Sequence, residues 1–355
     1  MKKIFLTVIA ILTSAGIFAQ SEVSAYSPGV TAEGVTYFLP KTMLRVTVTA
    51  EKTTYIPGEF CRYAERYLKM TGLSNQEETK WSITGIEVKP VGVPDATKAY
   101  SIRLNDKSAA SNVRLTPEGI LASVNAQVPS SQALPETTNA TASVPVNPRD
   151  YLTEEILMAG STAKMAELTA REIFDIRESR NAITRGQADY VPSDGESFRY
   201  ILESLDKQEK AMLLLFTGTT TTTVHTESFD FMPNGSVKDT VLFRMSSKLG
   251  PVSADNLAGE PVYLTVRDMN QLSSSTANIS SSKKESDGIK YRVPGRASVK
   301  VATNRQTYFN EEMTIAQFGN IETLSSKLLV RKPVAGTIIF NTTTGNIESI
   351  SSPTY

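Results

Sequence analysis

Apolar and polar residues alternate along much of this chain. Leu44, Val46 and Val48 interleave with Arg45, Thr47 and Thr49, the period of a strand with one buried face. The same period recurs at Trp81-Ser82-Ile83 and at Tyr100-Ser101-Ile102-Arg103-Leu104. Between them, Glu59–Lys69 has helical spacing through Phe60, Tyr63, Ala64, Tyr67 and Leu68, and Gly72 follows where a helix would stop. Residues 20–125 therefore read as a β module with one short helix.

Residues 126–150 shift to Pro, Ser, Thr, Ala and Asn, with prolines at 129, 135, 145 and 148, and read as an extended linker. Residues 151–216 read as an αα-hairpin. Its first helix runs from Ser161 to Ile183, with Ala166, Ala170, Ile173 and Ile176 on one side and i,i+4 charge pairs at Glu167–Arg171 and Arg171–Asp175. Ser193-Asp194-Gly195-Glu196 is a capping box opening a second helix through Phe198, Ile201, Leu202, Leu205 and Met212. From residue 217 to 355 the strand period returns, at Phe229-Asp230-Phe231, Val241–Met245 and Val262–Val266, with Pro233-Asn234-Gly235 as a hairpin turn. The run Thr219–Thr223 fits an edge strand, because Thr favours the pleated backbone. Ser273–Gly288 reads as a polar loop. The expected class is α+β, predominantly antiparallel β.

The two β regions contain matching pieces in the same order. Tyr37-Phe38-Leu39-Pro40 corresponds to Tyr291-Arg292-Val293-Pro294, Val46-Thr47-Val48 to Val299-Lys300-Val301, and Thr54-Tyr55-Ile56 to Thr307-Tyr308-Phe309. Near each end, Thr116–Val124 answers Thr342–Ile350, with Gly119 matching Gly345. Shared order and a shared turn glycine predict an internal duplication: two related β modules, with the helices between them in the chain.

The N-terminus adds a compartment. Met1-Lys2-Lys3, the apolar stretch Ile4–Phe18 and Ala19 before Gln20-Ser21-Glu22 have the three parts of a secretory signal, with cleavage expected after Ala19. No later segment reaches the ~20 apolar residues of a spanning helix. The single Cys61 excludes an intramolecular disulfide. Lys plus Arg and Asp plus Glu both total 37, and without a clustered positive field nucleic acid is excluded as a partner.

Candidate chemistry is sparse. Ser161-Thr162-Ala163-Lys164 has the S-x-x-K spacing that sets a Ser nucleophile one helical turn from a Lys, but no K-T-G accompanies it, and Ser280-Ser281-Ser282-Lys283 repeats the spacing inside a loop. Ser161 as a helix cap and Lys164 as a solvated side chain is the competing reading. His225 is the one histidine, and no G-x-S-x-G supplies a serine for it. The carboxylate pairs Glu77-Glu78, Glu154-Glu155 and Glu311-Glu312 are neighbours in sequence, whereas a glycosidase needs carboxylates facing across a cleft. Asp239-Thr240-Val241 fits a short acceptor pattern for bacterial O-glycosylation. Neither a Walker loop nor a dinucleotide fingerprint is present, so no cofactor is called for. Tyr37, Tyr55, Tyr291 and Tyr308 are candidate contacts for a glycan or a protein partner, if their rings share an exposed face.

Tyr37-Phe38-Leu39-Pro40-Lys41-Thr42, Pro57-Gly58-Glu59-Phe60, Tyr63–Leu68, Gly288–Gly295 and Ala316-Gln317-Phe318-Gly319 together resemble a family of exported proteins of this length from Gram-negative, gut-type bacteria, a domain of unknown function. The resemblance implies a compartment and an architecture, and it carries over no catalytic residue. The functional expectation is a non-enzymatic exported cell-envelope protein, periplasmic or at the outer-membrane periphery, that binds or assembles with an envelope protein or a glycan. The alternatives are an envelope hydrolase or glycan-processing enzyme using Ser161 and Lys164, and a glycan-binding β module.

Overall fold

The computed structural model describes residues 30–31, 34–102, 113–126, 147–188, 195–273, 288–325 and 337–351. The expected signal segment, most of the expected linker, Ser193 and residues 274–287 lie outside these residues. The fold is mostly antiparallel β, as the alternation predicts, and its strands form three sheets.

Two long antiparallel pairs form its frame. Strand β2 (Gly34–Ile56) pairs along its length with β3 (Glu78–Ile102), and β1 (Val30–Thr31) adds two residues at its start. The remaining edge of β2 is taken by β6 (Thr219–Phe231), in register from Leu44↔Phe231 to Ile56↔Thr219. In the second sheet β10 (Gly288–Ala302) pairs with β11 (Thr307–Ser325) on one side and with β9 (Glu260–Leu272) on the other, and β7 (Val237–Ser246) and β8 (Gly250–Val252) complete it. The third sheet joins both ends of the chain. There β5 (Leu121–Val124), paired with β4 (Val113–Leu115), meets β12 (Thr337–Phe340), paired with β13 (Ile347–Ser351).

The alternation in sequence becomes the core. Leu44, Val46 and Val48 of the first sheet face Val262, Leu264, Val266, Val299 and Val301 of the second, all buried. Above this sandwich, Tyr37 and Leu39 of β2 and Ile289, Tyr291 and Val293 of β10 pack on Leu121, Val124, Ile338 and Phe340 of the third sheet. At this waist the period-two pattern fails, because residues 37–40 and 291–295 are buried on both faces. Each long pair has the same irregularity there. Between Phe38↔Ala99 and Pro40↔Pro94, two steps along β2 oppose five along β3. Between Val293↔Asn320 and Gly295↔Ile315, two steps along β10 again oppose five along β11.

The helices are α1 (Ala64–Leu68), α2 (Glu154–Leu157), α3 (Thr162–Thr184) and α4 (Gly195–Thr217). The helix expected over Glu59–Lys69 is shorter than its pattern suggests: a 3₁₀ turn at Cys61–Tyr63 leads into the five residues of α1, and Lys69 leaves it in a left-handed conformation. Helices α3 and α4 dock beside this turn through Phe60, Ile173, Met212 and Phe216. Between them Glu209, buried, accepts from Arg177 (2.6 Å) and Arg180 (2.7 Å), and Arg180 also reaches Asp206 (2.9 Å). Among the described residues no helix is long and apolar enough to cross a membrane.

Candidate functional site

The residues singled out in the sequence do not converge. Ser161 caps α3, its hydroxyl accepting from the Lys164 backbone N–H at 3.3 Å, while the Lys164 ammonium points away to Glu167 at 2.8 Å. Both residues are exposed, and the Lys164 ammonium is held on Glu167 rather than on the Ser161 hydroxyl. The three carboxylate pairs are exposed and lie apart, at the start of β3, on α2 and on β11. Cys61 is a free, half-buried thiol in the 3₁₀ turn. Thr240 of the Asp239-Thr240-Val241 pattern is half-buried within β7. Among the described residues no group of three or more His, Cys, Asp or Glu could hold a metal ion.

The four tyrosines share no surface. Tyr37 and Tyr291 are core residues of the waist, where β2 and β10 are covered on both faces, so neither ring offers a face to a sugar. The Tyr37 hydroxyl sits on the β10 backbone, donating to the Lys290 carbonyl (3.0 Å) and accepting from its N–H (2.8 Å); burial holds its pKa far above the phenol value. The Tyr291 hydroxyl donates to Glu322 at 2.8 Å. Tyr55 spends its hydroxyl on the carbonyls of Ser74 and Thr217, both at 3.0 Å, and Tyr308 is half-buried on β11.

What sequence reading missed is a polar junction at the waist. Asp95, in the β3 bulge, is 2.9 Å from the Arg292 guanidinium and 3.2 Å from the Lys41 ammonium. Burial would raise the Asp95 carboxyl, but hydrogen bonds from the Thr97 hydroxyl and from Lys41 outweigh it and hold the pKa below its ordinary value. Arg292 also donates to the Ala316 carbonyl (3.3 Å). Beside it the Gln317 side chain bonds both the N–H and the C=O of Thr42, at 2.9 Å each, as a further strand would. The Phe38 N–H donates to the Gly119 carbonyl (2.8 Å) and the Arg292 N–H to the Gly345 carbonyl (3.0 Å), so the matched residues of both regions make the same bond. The sequence carries no signal of it: Lys290 and Arg292 alternate with Ile289, Tyr291 and Val293 as solvent-facing charges would, and the partner of Arg292 lies 197 positions away.

The accessible feature of the fold is strand β6. Its C-terminal end is anchored by Phe231 and by Phe229, whose ring stacks on Phe243 at 4.6 Å, and by a bidentate Arg45–Asp230 pair. Its start is fixed by Gly218, at φ +78, where an added Cβ would lie 2.3 Å from the Ile56 carbonyl oxygen. Between these anchors Thr220–Ser228 is exposed on both faces. Among the described residues only β2 pairs with β6, which leaves its outer edge open. Thr220–Ser228 contains no Pro, no Lys and no bulge, and Glu227 near its anchored end is its one carboxylate. His225 lies here, exposed, with its ring 4.8 Å from that of Trp81 and Nε2 3.1 Å from the Thr223 hydroxyl.

No curated protein and no solved structure matches the chain. A family match spans residues 33–348, which is most of the 355-residue chain and includes every sheet strand from β2 to β12. The chain belongs to this family, the domain of unknown function DUF4831.

Proposed function

We propose that this protein is a non-enzymatic, exported cell-envelope component that assembles with another polypeptide by strand addition at β6. The observation that carries the reading is the exposed edge of Thr220–Ser228, which no other strand among the described residues pairs and which is free of Pro, Lys and bulges. A row of free N–H and C=O groups on a strand already held rigid by β2 is a template for an extended segment. Main-chain hydrogen bonds then supply affinity, and the alternating side chains Thr220, Thr222, Val224 and Thr226 supply selectivity. Export rests on the N-terminal Lys-apolar-Ala pattern.

The scaffold behind this edge is, in the same reading, an internal duplication with an αα-hairpin inserted between the copies. Support comes from the two long strand pairs with a five-against-two irregularity at the waist, and from the equivalent bonds Phe38–Gly119 and Arg292–Gly345. The helices stand where chain is spliced between the copies, and α4 leads through Gly218 directly into β6.

The test is to isolate tagged full-length protein from membranes in mild detergent, alongside a Thr222→Lys/Val224→Lys variant. Both side chains are exposed, so folding should be unaffected within about 0.5 kcal/mol, while the added charges block a neighbouring strand. The wild type is expected to retain a stoichiometric envelope partner that the folded variant loses. A wild type recovered as a lone soluble monomer, or a variant that keeps the partner, would overturn the assembly role.

A further inference from the structure

A second accessible site lies on the outer face of the second sheet. There Tyr263 and Thr265 of β9 and Lys300 of β10 alternate with the buried Leu264, Val266, Val299 and Val301, so they point away from the core. With Lys238, Asp239 and Asn304 they line a cavity of about 430 Å³. Register explains its shape. Thr265 stands directly opposite Lys300, and Tyr263 opposite the small Ala302, which leaves room beside the half-buried ring.

The rim is built by a bulge in β7. Between Val237↔Val266 and Thr240↔Leu264 the ladder slips, and Asp239 takes a left-handed conformation, φ 51. That conformation disfavours a side chain but turns Asp239 over the sheet, as bulges commonly do beside binding sites. Its N–H donates to the Thr265 hydroxyl (3.2 Å), which donates back to Oδ1 at 3.1 Å. Among the described residues Oδ2 has no hydrogen-bond partner and is left for a ligand. Among the described residues neither Lys238 nor Lys300 has a carboxylate partner, so two ammonium groups also remain available.

We propose that this cavity binds a carboxylated sugar residue. Each part of the lining has a use on such a ligand. The two lysines give charge-assisted hydrogen bonds to its carboxylate, and Asp239 and Asn304 suit its hydroxyl groups. The half-buried Tyr263 ring offers an apolar face to the C–H side of a pyranose, with a polar tip beside it. Two ammonium groups and one carboxylate leave a single positive charge, which matches a monoanion; the Asp239 carboxylate would repel a phosphate dianion. A neutral sugar would leave both lysines idle. The volume lies at the lower end of the range for small-molecule sites and suits one or two rings. The cavity is on the sheet that packs against the β6-bearing sheet and faces away from it, so this proposal and the strand-addition reading fail independently.

The experiment is titration of the full chain, followed by calorimetry and by chemical-shift changes, with glucuronate, glucose and inorganic phosphate. Glucuronate is expected to saturate a single site, with glucose at least ten-fold weaker and phosphate unable to displace it. The Lys238→Gln/Lys300→Gln variant, altered at two exposed positions, should keep its melting temperature and lose glucuronate affinity ten-fold or more. Affinity should also fall as salt is raised. Absence of saturable glucuronate binding, equal binding of glucose, displacement by phosphate, or a double variant that binds as tightly as the wild type would each overturn the proposal.

Discussion

Asp95 shows how one side chain can hold two distant parts of a chain together. It is 3% exposed, and it reaches Arg292 of β10, Lys41 of β2 and, within its own bulge, the Thr97 hydroxyl at 2.7 Å. Removing one member of such a buried pair strands the other, at a cost of about 3–5 kcal/mol. Asp95→Ala is therefore expected to lose stability on that scale in urea titrations, and more than Lys41→Ala, whose side chain is one-third exposed. The pH dependence has a definite sign. The Asp95 carboxyl titrates lower in the folded chain than the ~3.9 of an unfolded Asp. Its contribution is thus complete above about pH 4 and is lost as the pH falls through the folded value. Asp95→Asn should flatten the acid limb of the stability curve below about pH 4, measured as urea midpoints against pH; an unchanged acid limb would refute the assignment. None of this was legible from the sequence. Lys290 and Arg292 alternate with Ile289, Tyr291 and Val293 and look alike in the sequence, because residue patterns report which face a side chain occupies and are silent about what lies opposite it across the fold.

Elements were more readable than residues, and the failures have physical causes. Strand β2 announced itself because one of its faces is buried and the other is not, which is the condition for a period of two. Strand β3 announced only its ends. Pro90, Gly92 and Pro94 look like breakers in the middle, yet the strand runs unbroken from Glu78 to Ile102. It can do so because β3 lies at an edge of its sheet, where a missing N–H costs no ladder bond. Gly92 has a separate reason to be there: an added Cβ would sit 2.1 Å from the Thr342 carbonyl oxygen, in the turn between β12 and β13. Backbone on both sides leaves no side chain to yield. Gly85, seven positions earlier on the same strand, has no atom within 4 Å of the same construction. Gly92→Ala should therefore cost at least about 1–3 kcal/mol, while Gly85→Ala stays within about 0.5 kcal/mol. Thermal or urea midpoints of the two variants decide this, and equal midpoints would show that the turn is not seated on β3 as the contact requires.

At the scale of the molecule, the order of strands in space differs from their order in the chain, and this governs how the protein should unfold. The sequence suggests a first module ending near residue 125 and a second beginning near residue 217. In space the two interlock: β6 follows the helices in sequence but completes the sheet of β2, and the third sheet exists only where β5 meets β12. The main core is shared as well. Val46 and Val48 of β2 are buried against Val262, Leu264 and Val266 of β9, so neither half retains a closed core alone. Unfolding one half would expose the apolar face of the other, and stabilities of the two halves are then coupled into one transition. Trp81, the chain's one tryptophan, is well placed to report it. Its ring packs on Gly250 of β8 and its backbone N–H donates to the Ser247 carbonyl at 2.8 Å, so its fluorescence follows the joint between the first and second sheets. Far-UV circular dichroism follows all the strands and helices together. The two signals should give coincident denaturation curves in urea, and a chain cut to residues 20–216 should fail to show a cooperative transition. Two separated transitions, or a cooperatively folded 20–216 fragment, would mean that the modules are stable apart and that the interlocked strands add little to either.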